Sequence, residues 1–257
     1  MKTPITYYGG KQTMLKHILP LIPKHSIYTE AFCGGAAVLF AKDPVKAEII
    51  NDINQNITNF YWVAKMYYPD LKKEIEKTLH SRDLHAHAGH ILKYPTFFSP
   101  VQRAWAVWAR SKMSFASMLD GTFGYDFQGA MAKKLRNAKD NITQSLCDRL
   151  EWVTIESRDA IEVIKTYDSP DTFHFVDPPY LGTDCAHYNG TFNEHDMGRL
   201  LAVLEKVKGK FMLTTFPLSQ VQDYANLNGW KIHRIERHIS ASKTKRRRQE
   251  EWMVCNY

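Results

Sequence analysis

The tetrapeptide Asp177-Pro178-Pro179-Tyr180 has the side chains and the position to act on an amine. It follows an apolar stretch, residues 172–176, that predicts a buried strand. Ligands of open α/β sheets bind beyond the carboxyl ends of strands. Two successive prolines fix two φ angles and remove two backbone donors, so this turn presents oxygen acceptors without competing N–H groups. A rigid surface turn is the alternative interpretation.

These acceptors suit one kind of chemistry. The exocyclic amine of a base is a poor nucleophile because its lone pair is delocalised into the ring. If the Asp177 carboxylate and the Pro178 carbonyl each accept one amine hydrogen, the nitrogen can pyramidalise and direct its lone pair at a methyl donor. Tyr180 can stack on the base, which has to leave the duplex before its amine is reached.

A second group of residues ends the first predicted strand, where positions 28–35 read YTEAFCGG. Gly34 and Gly35 let a ligand approach the backbone, although a tight strand-to-helix turn explains them equally well. Asp52 ends the next predicted strand, from where an acidic side chain can accept both ribose hydroxyls. Nucleoside binding is therefore indicated. The dehydrogenase spacing G-x-G-x-x-G is missing, because position 36 is Ala.

A third group, YYGGK at positions 7–11, precedes a helix-like run that begins near Gln12. Lys11 can meet a carboxylate, and an aromatic ring can cover a cationic sulfonium. An ordinary amino-terminal turn is the alternative.

The pattern of elements predicts how these groups are positioned. Strands are predicted at 26–32, 46–50, 152–156, 172–177, 210–216, 230–240 and 251–257, and helices at 36–42, 54–67, 159–165 and 194–207. Repeated βα units predict a mostly parallel sheet with helices on both faces, with the last two strands as an antiparallel edge pair. Residues 59–137 between the halves are helical in pattern, with Trp105 and Trp108 on one apolar face, predicted to be core. Residues 120–129 predict a hairpin or loop.

Composition restricts the class of protein. The chain has 257 residues and a formal charge of +7, an excess that favours contact with polyanions. It has no apolar run of membrane-spanning length, so we expect a cytoplasmic protein without membrane contact. The four cysteines are far apart and are expected to be free thiols. We expect no metal: His85, His87 and His90 lack a completing ligand at known spacing and are interpreted as a solvated helical face.

Four ordered motifs, YYGGK (7–11), TEAFCGG (29–35), IINDIN (49–54) and DPPY (177–180), resemble those of the DNA adenine-N6 methyltransferases of the deoxyadenosine methylase type. The resemblance implies an S-adenosylmethionine-dependent, Rossmann-like α/β fold with an inserted helical target-recognition domain. The cofactor-binding and catalytic domain would comprise residues 1–58 and 138–257, and the insertion residues 59–137. Ala36 departs from the pattern, since many relatives have a second glycine there.

The resemblance also implies residue roles. The catalytic segment would be Asp177, Pro178, Pro179 and Tyr180. The S-adenosylmethionine pocket would be lined by Tyr7, Gly10, Lys11, Glu30, Phe32, Cys33, Gly34, Gly35, Asp52, Asp159 and Asp177, with Asp52 on the ribose and Asp159 near the adenine.

Contact with DNA is expected at two places. The basic run at 243–248 can clamp phosphates, although a solvated loop is the alternative. In the loop after DPPY, His187, Tyr188 and Phe192 are candidates for holding a flipped base. The predicted DNA-binding residues are Tyr125, Tyr188, Lys243, Lys245, Arg246, Arg247 and Arg248.

The sequence thus predicts methyl transfer from S-adenosylmethionine to adenine N6 in DNA. Methylation of cytosine N4 stays open, because the same acceptors serve any exocyclic amine. A non-catalytic DNA-binding protein of the same fold is a second alternative. A separate restriction endonuclease is a candidate partner.

Overall fold

The computed structural model describes residues 1–181, 192–238 and 248–257. The strands, in chain order, are β1 (Ile27–Glu30), β2 (Ala47–Asn51), β3 (Val153–Glu156), β4 (Thr172–Val176), β5 (Lys210–Thr215), β6 (Lys231–His238) and β7 (Arg248–Cys255). The helices are α1 (Leu15–Ile18), α2 (Ala37–Ala41), α3 (Gln55–Met66), α4 (Tyr68–Lys77), α5 (Arg82–Lys93), α6 (Pro100–Met113), α7 (Ala130–Lys139), α8 (Gln144–Leu150), α9 (Ala160–Thr166), α10 (Glu194–Leu204) and α11 (Ser219–Asn228).

The chain forms two compact units. The first comprises Met1–Leu15, Gly34–Asp43 and Asn54–Ser157, and the second comprises Lys16–Cys33, Pro44–Ile53 and Arg158–Tyr257. Compactness alone does not assign a role to either unit. The division into a catalytic domain and a target-recognition insertion at residues 59–137 therefore stays a prediction.

The second unit is built on strands in the order β2-β1-β4-β5-β7-β6. Strand β1 pairs in parallel with β2 and β4, and β4 pairs in parallel with β5. Strand β7 pairs antiparallel with both β5 and β6, so β6 forms the edge. The predicted mostly parallel sheet with a final antiparallel pair is confirmed.

Strand β4 is central in this sheet and buried along its whole length. Parallel neighbours on both sides explain its nearly continuous apolar sequence, TFHFV. The helices α9, α10 and α11 supply apolar side chains to one core cluster with β4, β5 and β7, including Ile161, Leu200, Val221, Phe211 and Val254. Because β4 is hydrogen-bonded to a strand on each side, its carboxyl end has a fixed position, and so does the start of the segment that follows it.

The first unit is mainly helical, as the sequence predicts for residues 59–137. Helix α6 packs against α3, α4 and α5 and begins with a capping box, in which Ser99 and Gln102 exchange side-chain and backbone hydrogen bonds. Trp105 and Trp108 on this helix are buried, so their predicted place in the core is confirmed. The Trp105 indole donates to Thr78 Oγ1 at 2.7 Å.

The interpretation of His85 as part of a solvated helical face is wrong, whereas His87 and His90 are exposed as expected. His85 is only 5% exposed. Its Nδ1 lies 3.1 Å from Arg110 Nη1 and its Nε2 lies 2.9 Å from Ser114 Oγ. The same Arg110 donates to the carbonyls of Leu119 and Gly121. His85 therefore helps to hold the start of segment 120–129, which is a loop closed by a single antiparallel bridge between Ser114 and Phe123.

Among the described residues, no helix is long and apolar enough to cross a membrane. Within the same residues, no three His, Cys, Asp or Glu side chains are grouped closely enough to hold a metal ion. Cys33, Cys147 and Cys255 are free thiols, as expected, and Cys185 lies outside the described residues.

Candidate active site

The DPPY segment begins at the carboxyl end of β4. In the register of β4 and β5, Val176 is opposite Leu213, so Asp177 is next to Thr214. The Thr214 hydroxyl donates to Asp177 Oδ1 at 2.6 Å. Thr214 is fully buried, while Asp177 is partly exposed. The carboxylate is therefore fixed from the protein side and reaches solvent at the end of the sheet.

Tyr180 is fixed at the other end of the segment. Its hydroxyl donates to Glu251 Oε1 at 2.7 Å, and its ring meets Phe216 edge to face with centroids 4.5 Å apart. Burial raises the pKa of Tyr180 well above its usual value, and the nearby Asp177 and Glu251 carboxylates raise it further. The phenol therefore keeps its proton and acts as a hydrogen-bond donor.

The end of β1 carries a buried acidic side chain. Glu30 is 3% exposed and accepts a hydrogen bond at Oε2 from the Tyr28 hydroxyl at 2.9 Å. Burial and the Glu30 carboxylate raise the pKa of Tyr28. Three residues further, burial raises the pKa of the Cys33 thiol, and the Asp52 and Glu30 carboxylates add to this. The Cys33 thiol therefore keeps its proton, which makes it a weak nucleophile.

Asn51 connects the loops that carry the predicted cofactor residues of the second unit. Its side-chain amide donates to the carbonyls of Ala31 and Arg158 at 2.9 and 3.1 Å, and its Oδ1 accepts from the Arg158 amide at 2.9 Å. Its backbone carbonyl accepts from the Cys33 amide at 2.8 Å. Asn51 thereby fixes the residues next to Phe32, Asp52 and Asp159. This role of Asn51 was not predicted, although the residue lies inside the IINDIN motif.

Asp159 begins α9 as its N-cap. Its Oδ1 accepts from the Ile161 amide at 2.8 Å, and Arg199 Nη2 lies 3.6 Å from its Oδ2. The side chain is exposed. Its Oδ1 thus caps helix α9, and the contact of Asp159 with a nucleoside stays a prediction.

In the first unit, the YYGGK loop packs on the glycine turn. A Cβ added to Gly34, which has φ +43°, would stand 2.8 Å from Tyr7 Cδ1, so the Tyr7 ring lies directly on this glycine. The Gly10 amide donates to the Tyr7 carbonyl at 2.9 Å. Lys11 is buried, and its Nζ donates to the Gly9 carbonyl at 2.8 Å.

Two further predicted residues lie in the same turn. A Cβ added to Gly35 would stand 3.3 Å from the Ile5 carbonyl oxygen, so little space is left there. Ala36 adopts a left-handed conformation with φ 49°, which is costly for any residue except glycine. This explains why glycine suits the position in proteins with the same motif.

Residues 7–241 match the family described as D12 class N6 adenine-specific DNA methyltransferase. The chain belongs to this family. It is therefore an enzyme that methylates adenine in DNA, as the sequence predicts.

Three relatives of this D12 class methyltransferase are also named as methyltransferases or methylases. The chain is 26% identical over 276 residues to the type II methyltransferase M1.LlaDCHI of Lactococcus lactis subsp. cremoris, and the match covers 97% of this chain and 93% of that protein. It is 24% identical over 201 residues to the modification methylase StsI of Streptococcus sanguinis, covering 74% of this chain and 30% of that protein. The chain is 23% identical over 291 residues to the type II methyltransferase M.FokI of Planomicrobium okeanokoites, and the match covers 100% of this chain and 43% of that protein. The chain thus spans less than half of the last two relatives.

Most residues predicted to contact DNA in this D12 class methyltransferase lie outside the described ones: His187, Tyr188, Lys243, Lys245, Arg246 and Arg247. Arg248 is the first residue of β7. Tyr125 is 64% exposed, with the Arg82 guanidinium 5.7 Å from its ring centroid. Phe192 is described, and its ring lies 6.0 Å from that of Phe32.

Sequence reasoning missed the residues behind the DPPY segment. Thr214 and Glu251 hold Asp177 and Tyr180 respectively, yet neither belongs to one of the four motifs. The available signal for Thr214 was a pair of threonines just before the last residue of the predicted strand at 210–216. A polar residue at the carboxyl end of a strand next to a catalytic strand is a candidate partner for the catalytic side chain.

Proposed function

We propose that this enzyme uses S-adenosylmethionine as its methyl donor and that Asp177 and Pro178 activate the adenine amine. The observation that carries the proposal is the Asp177 carboxylate, fixed at the carboxyl end of β4 by a 2.6 Å hydrogen bond and partly open to solvent. Ligands of open α/β sheets bind at this end of the strands.

Three residues of the segment, Asp177, Pro178 and Tyr180, have distinct roles in the proposal. Asp177 and the Pro178 carbonyl each accept one amine hydrogen, which localises the nitrogen lone pair. Bound S-adenosylmethionine supplies an electrophilic methyl group on a sulfonium. As the new N–C bond forms and the S–C bond breaks, one amine proton leaves, and Asp177 accepts it. The Tyr180 ring stacks on the extruded adenine.

The residues of the second unit fit a cationic nucleoside. Glu30 and Asp52 are carboxylates near the ends of β1 and β2, and acidic side chains suit both a sulfonium and ribose hydroxyls. We propose that Asp52 binds the ribose, that Glu30, Phe32 and Cys33 line the pocket, and that Asp159 lies near the adenine. Tyr7, Gly10, Lys11, Gly34 and Gly35 in the first unit are proposed cofactor residues on the motif resemblance alone.

The proposal extends to DNA contact and to cellular context. Tyr125, Tyr188 and the basic run 243–248 are proposed to contact DNA, which the formal charge of +7 favours. A cytoplasmic location follows from the substrate. Two relatives are named type II methyltransferases and one a modification methylase, which supports a separate restriction endonuclease as partner.

Replacing Asp177 by Ala tests the mechanism. We expect methyl transfer to unmethylated plasmid DNA to fall by about 100-fold or more, because one of two acceptors is lost. Equilibrium binding of S-adenosylmethionine should stay within about 3-fold of wild type, since Asp52 and Glu30 remain. Near-normal turnover in D177A would contradict the proposed mechanism.

Product analysis addresses the alternatives. Nucleosides from DNA treated with the wild-type enzyme should contain N6-methyladenine. The appearance of N4-methylcytosine instead would favour the cytosine alternative, which the family description disfavours. A chain that binds DNA but not S-adenosylmethionine would favour a non-catalytic role.

A further inference from the structure

We propose that Thr214 is a positioning residue that sets the orientation of the Asp177 carboxylate. The inference rests on the proposed function, because it assigns Thr214 a part in the reaction through Asp177. Thr214 itself need not touch the base or the cofactor.

The contact between the two residues is short and enclosed. Thr214 Oγ1 donates to Asp177 Oδ1 at 2.6 Å, and the Thr214 side chain has no exposed surface. Hydrogen bonds from hydroxyls to carboxylates in this distance range are among the stronger ones in proteins. Since the two strands are parallel and in register, Thr214 lies beside Asp177 on the neighbouring strand. A fixed backbone therefore carries the donor.

The same face of the sheet also holds the far end of the segment. Thr214 is opposite Met253 on β7, and Glu251 lies two residues from Met253, so Thr214 and Glu251 point to one face. Glu251 is 1% exposed and accepts the hydrogen bond from Tyr180. Two neighbouring buried residues thus bind the first and the last side chain of the segment. The Thr214 hydroxyl also hydrogen-bonds the Tyr180 hydroxyl, an interaction that lowers the pKa of Tyr180 against the larger effect of burial, so Thr214 contacts both ends of the segment.

The neighbouring threonine shows what a buried threonine does here without such a role. Thr215 is also fully buried, but it points to the other face. Its hydroxyl has no hydrogen-bond partner among the residues that the structure describes. Valine, which has the shape of threonine without the hydroxyl, therefore removes an interaction at position 214 and none at position 215.

The test compares Thr214→Val, Thr214→Ser and Thr215→Val in steady-state methylation of a DNA duplex. In T214V we expect kcat to fall by about 10- to 100-fold, because the Asp177 carboxylate loses the short hydrogen bond that orients it toward the amine. The KM for S-adenosylmethionine should stay within about 3-fold. T214S keeps the hydroxyl and should recover kcat to within about 3-fold of wild type, and T215V should change kcat by less than about 2-fold.

The outcomes separate this inference from the proposed function. A wild-type kcat in T214V, or an equal loss in T214V and T215V, would overturn the role of Thr214. Inactivity of D177A combined with a normal T214V would overturn only the inference. Normal turnover in D177A would overturn the proposed mechanism and the inference together. Thermal unfolding of each variant verifies folding, and if T214V does not fold, Thr214→Ala against T214S gives the same comparison.

Discussion

Asp177 and Tyr180 are three residues apart in the chain, and buried residues of two neighbouring strands bind them. The Asp177 carboxylate is bound by Thr214 on β5 and the Tyr180 hydroxyl by Glu251 on β7. Between them, two prolines restrict the backbone. The segment is therefore rigid for two independent reasons. The proline rings restrict its backbone, which the sequence shows, and the contacts with Thr214 and Glu251 fix its side chains, which the sequence does not show.

Replacing Tyr180 by Phe should separate the phenol from the ring. The hydroxyl is lost, so Glu251 loses a donor while buried, and we expect a loss of about 1–3 kcal/mol in the free energy of unfolding. The ring remains able to stack, so kcat should fall less in Y180F than in Y180A. Urea unfolding and steady-state kinetics measure the two effects. Tyr125→Phe, which alters a 64% exposed phenol, is the control and should leave stability unchanged. Equal kcat losses in Y180F and Y180A would contradict a stacking role.

The residue types of the active site were predictable, whereas their partners were not. The position of DPPY after an apolar stretch was enough to predict Asp177 at the end of a buried strand. Thr214 and Glu251 are 37 and 71 residues from their partners, and their contacts depend on strand register. Asn51 likewise bonds to a carbonyl 107 residues away. Such contacts follow from the order of the strands, which local sequence patterns do not encode.

At the scale of elements, apolar patterning predicted the βα units with boundaries close to those observed. Helix α11 was missed because it is mostly polar and buries only Val221 and Ala225. The antiparallel pairing of the last two strands was predicted, but the position of β7 between β5 and β6 was not. That position is what brings Glu251 to Tyr180. A hairpin or loop was predicted at 120–129 and a loop is observed, although its support by His85 and Arg110 was not predicted.

His85 should make the stability of the first unit depend on pH. Arginine only donates, so Arg110 Nη1 donates to Nδ1 of a neutral His85, whose Nε2–H then donates to Ser114. Burial, followed by Arg110 and Arg82, lowers the pKa of His85 to about 4. In the unfolded chain it is about 6.5. As the pH falls from about 6.5 to about 4, only the unfolded state gains this proton, so stability falls across that window by about 3 kcal/mol.

Urea unfolding at pH 7 and at pH 4.5 measures this dependence. Because carboxylates also titrate over this range, the informative quantity is the difference between variants. His85→Gln should be less stable at pH 7 but should lose less stability on acidification than His87→Gln, which alters an exposed histidine on the same helix. An identical loss in both variants would mean that His85 is protonated in the folded state.

At the scale of the whole molecule, the net positive charge does not by itself identify the DNA-binding surface. A net charge of +7 predicts attraction to DNA but not where the DNA binds. The four motifs and their order predicted the family. The recognised base sequence is not predictable in the same way, since it depends on individual side chains that meet base edges.

The basic run provides the last prediction, because its neutralisation should change how DNA affinity depends on salt. Each phosphate contact that is lost reduces the slope of log affinity against log salt concentration by about 0.9. Replacing Arg246, Arg247 and Arg248 by Gln should therefore flatten the slope by up to about 2.7. The matched control replaces Lys206, Lys208 and Lys210 by Gln. These three are exposed at the amino end of β5, the opposite end of that strand from Thr214.

Both triple variants lose three positive charges, so any effect of net charge alone is equal in the two. If the run contacts phosphates, the slope should be flatter only in the arginine variant. Fluorescence anisotropy with a labelled duplex between about 50 and 200 mM salt measures it. Equal slopes in the two variants would show that the charge excess attracts DNA as a whole and that the run 243–248 makes no phosphate contact of its own.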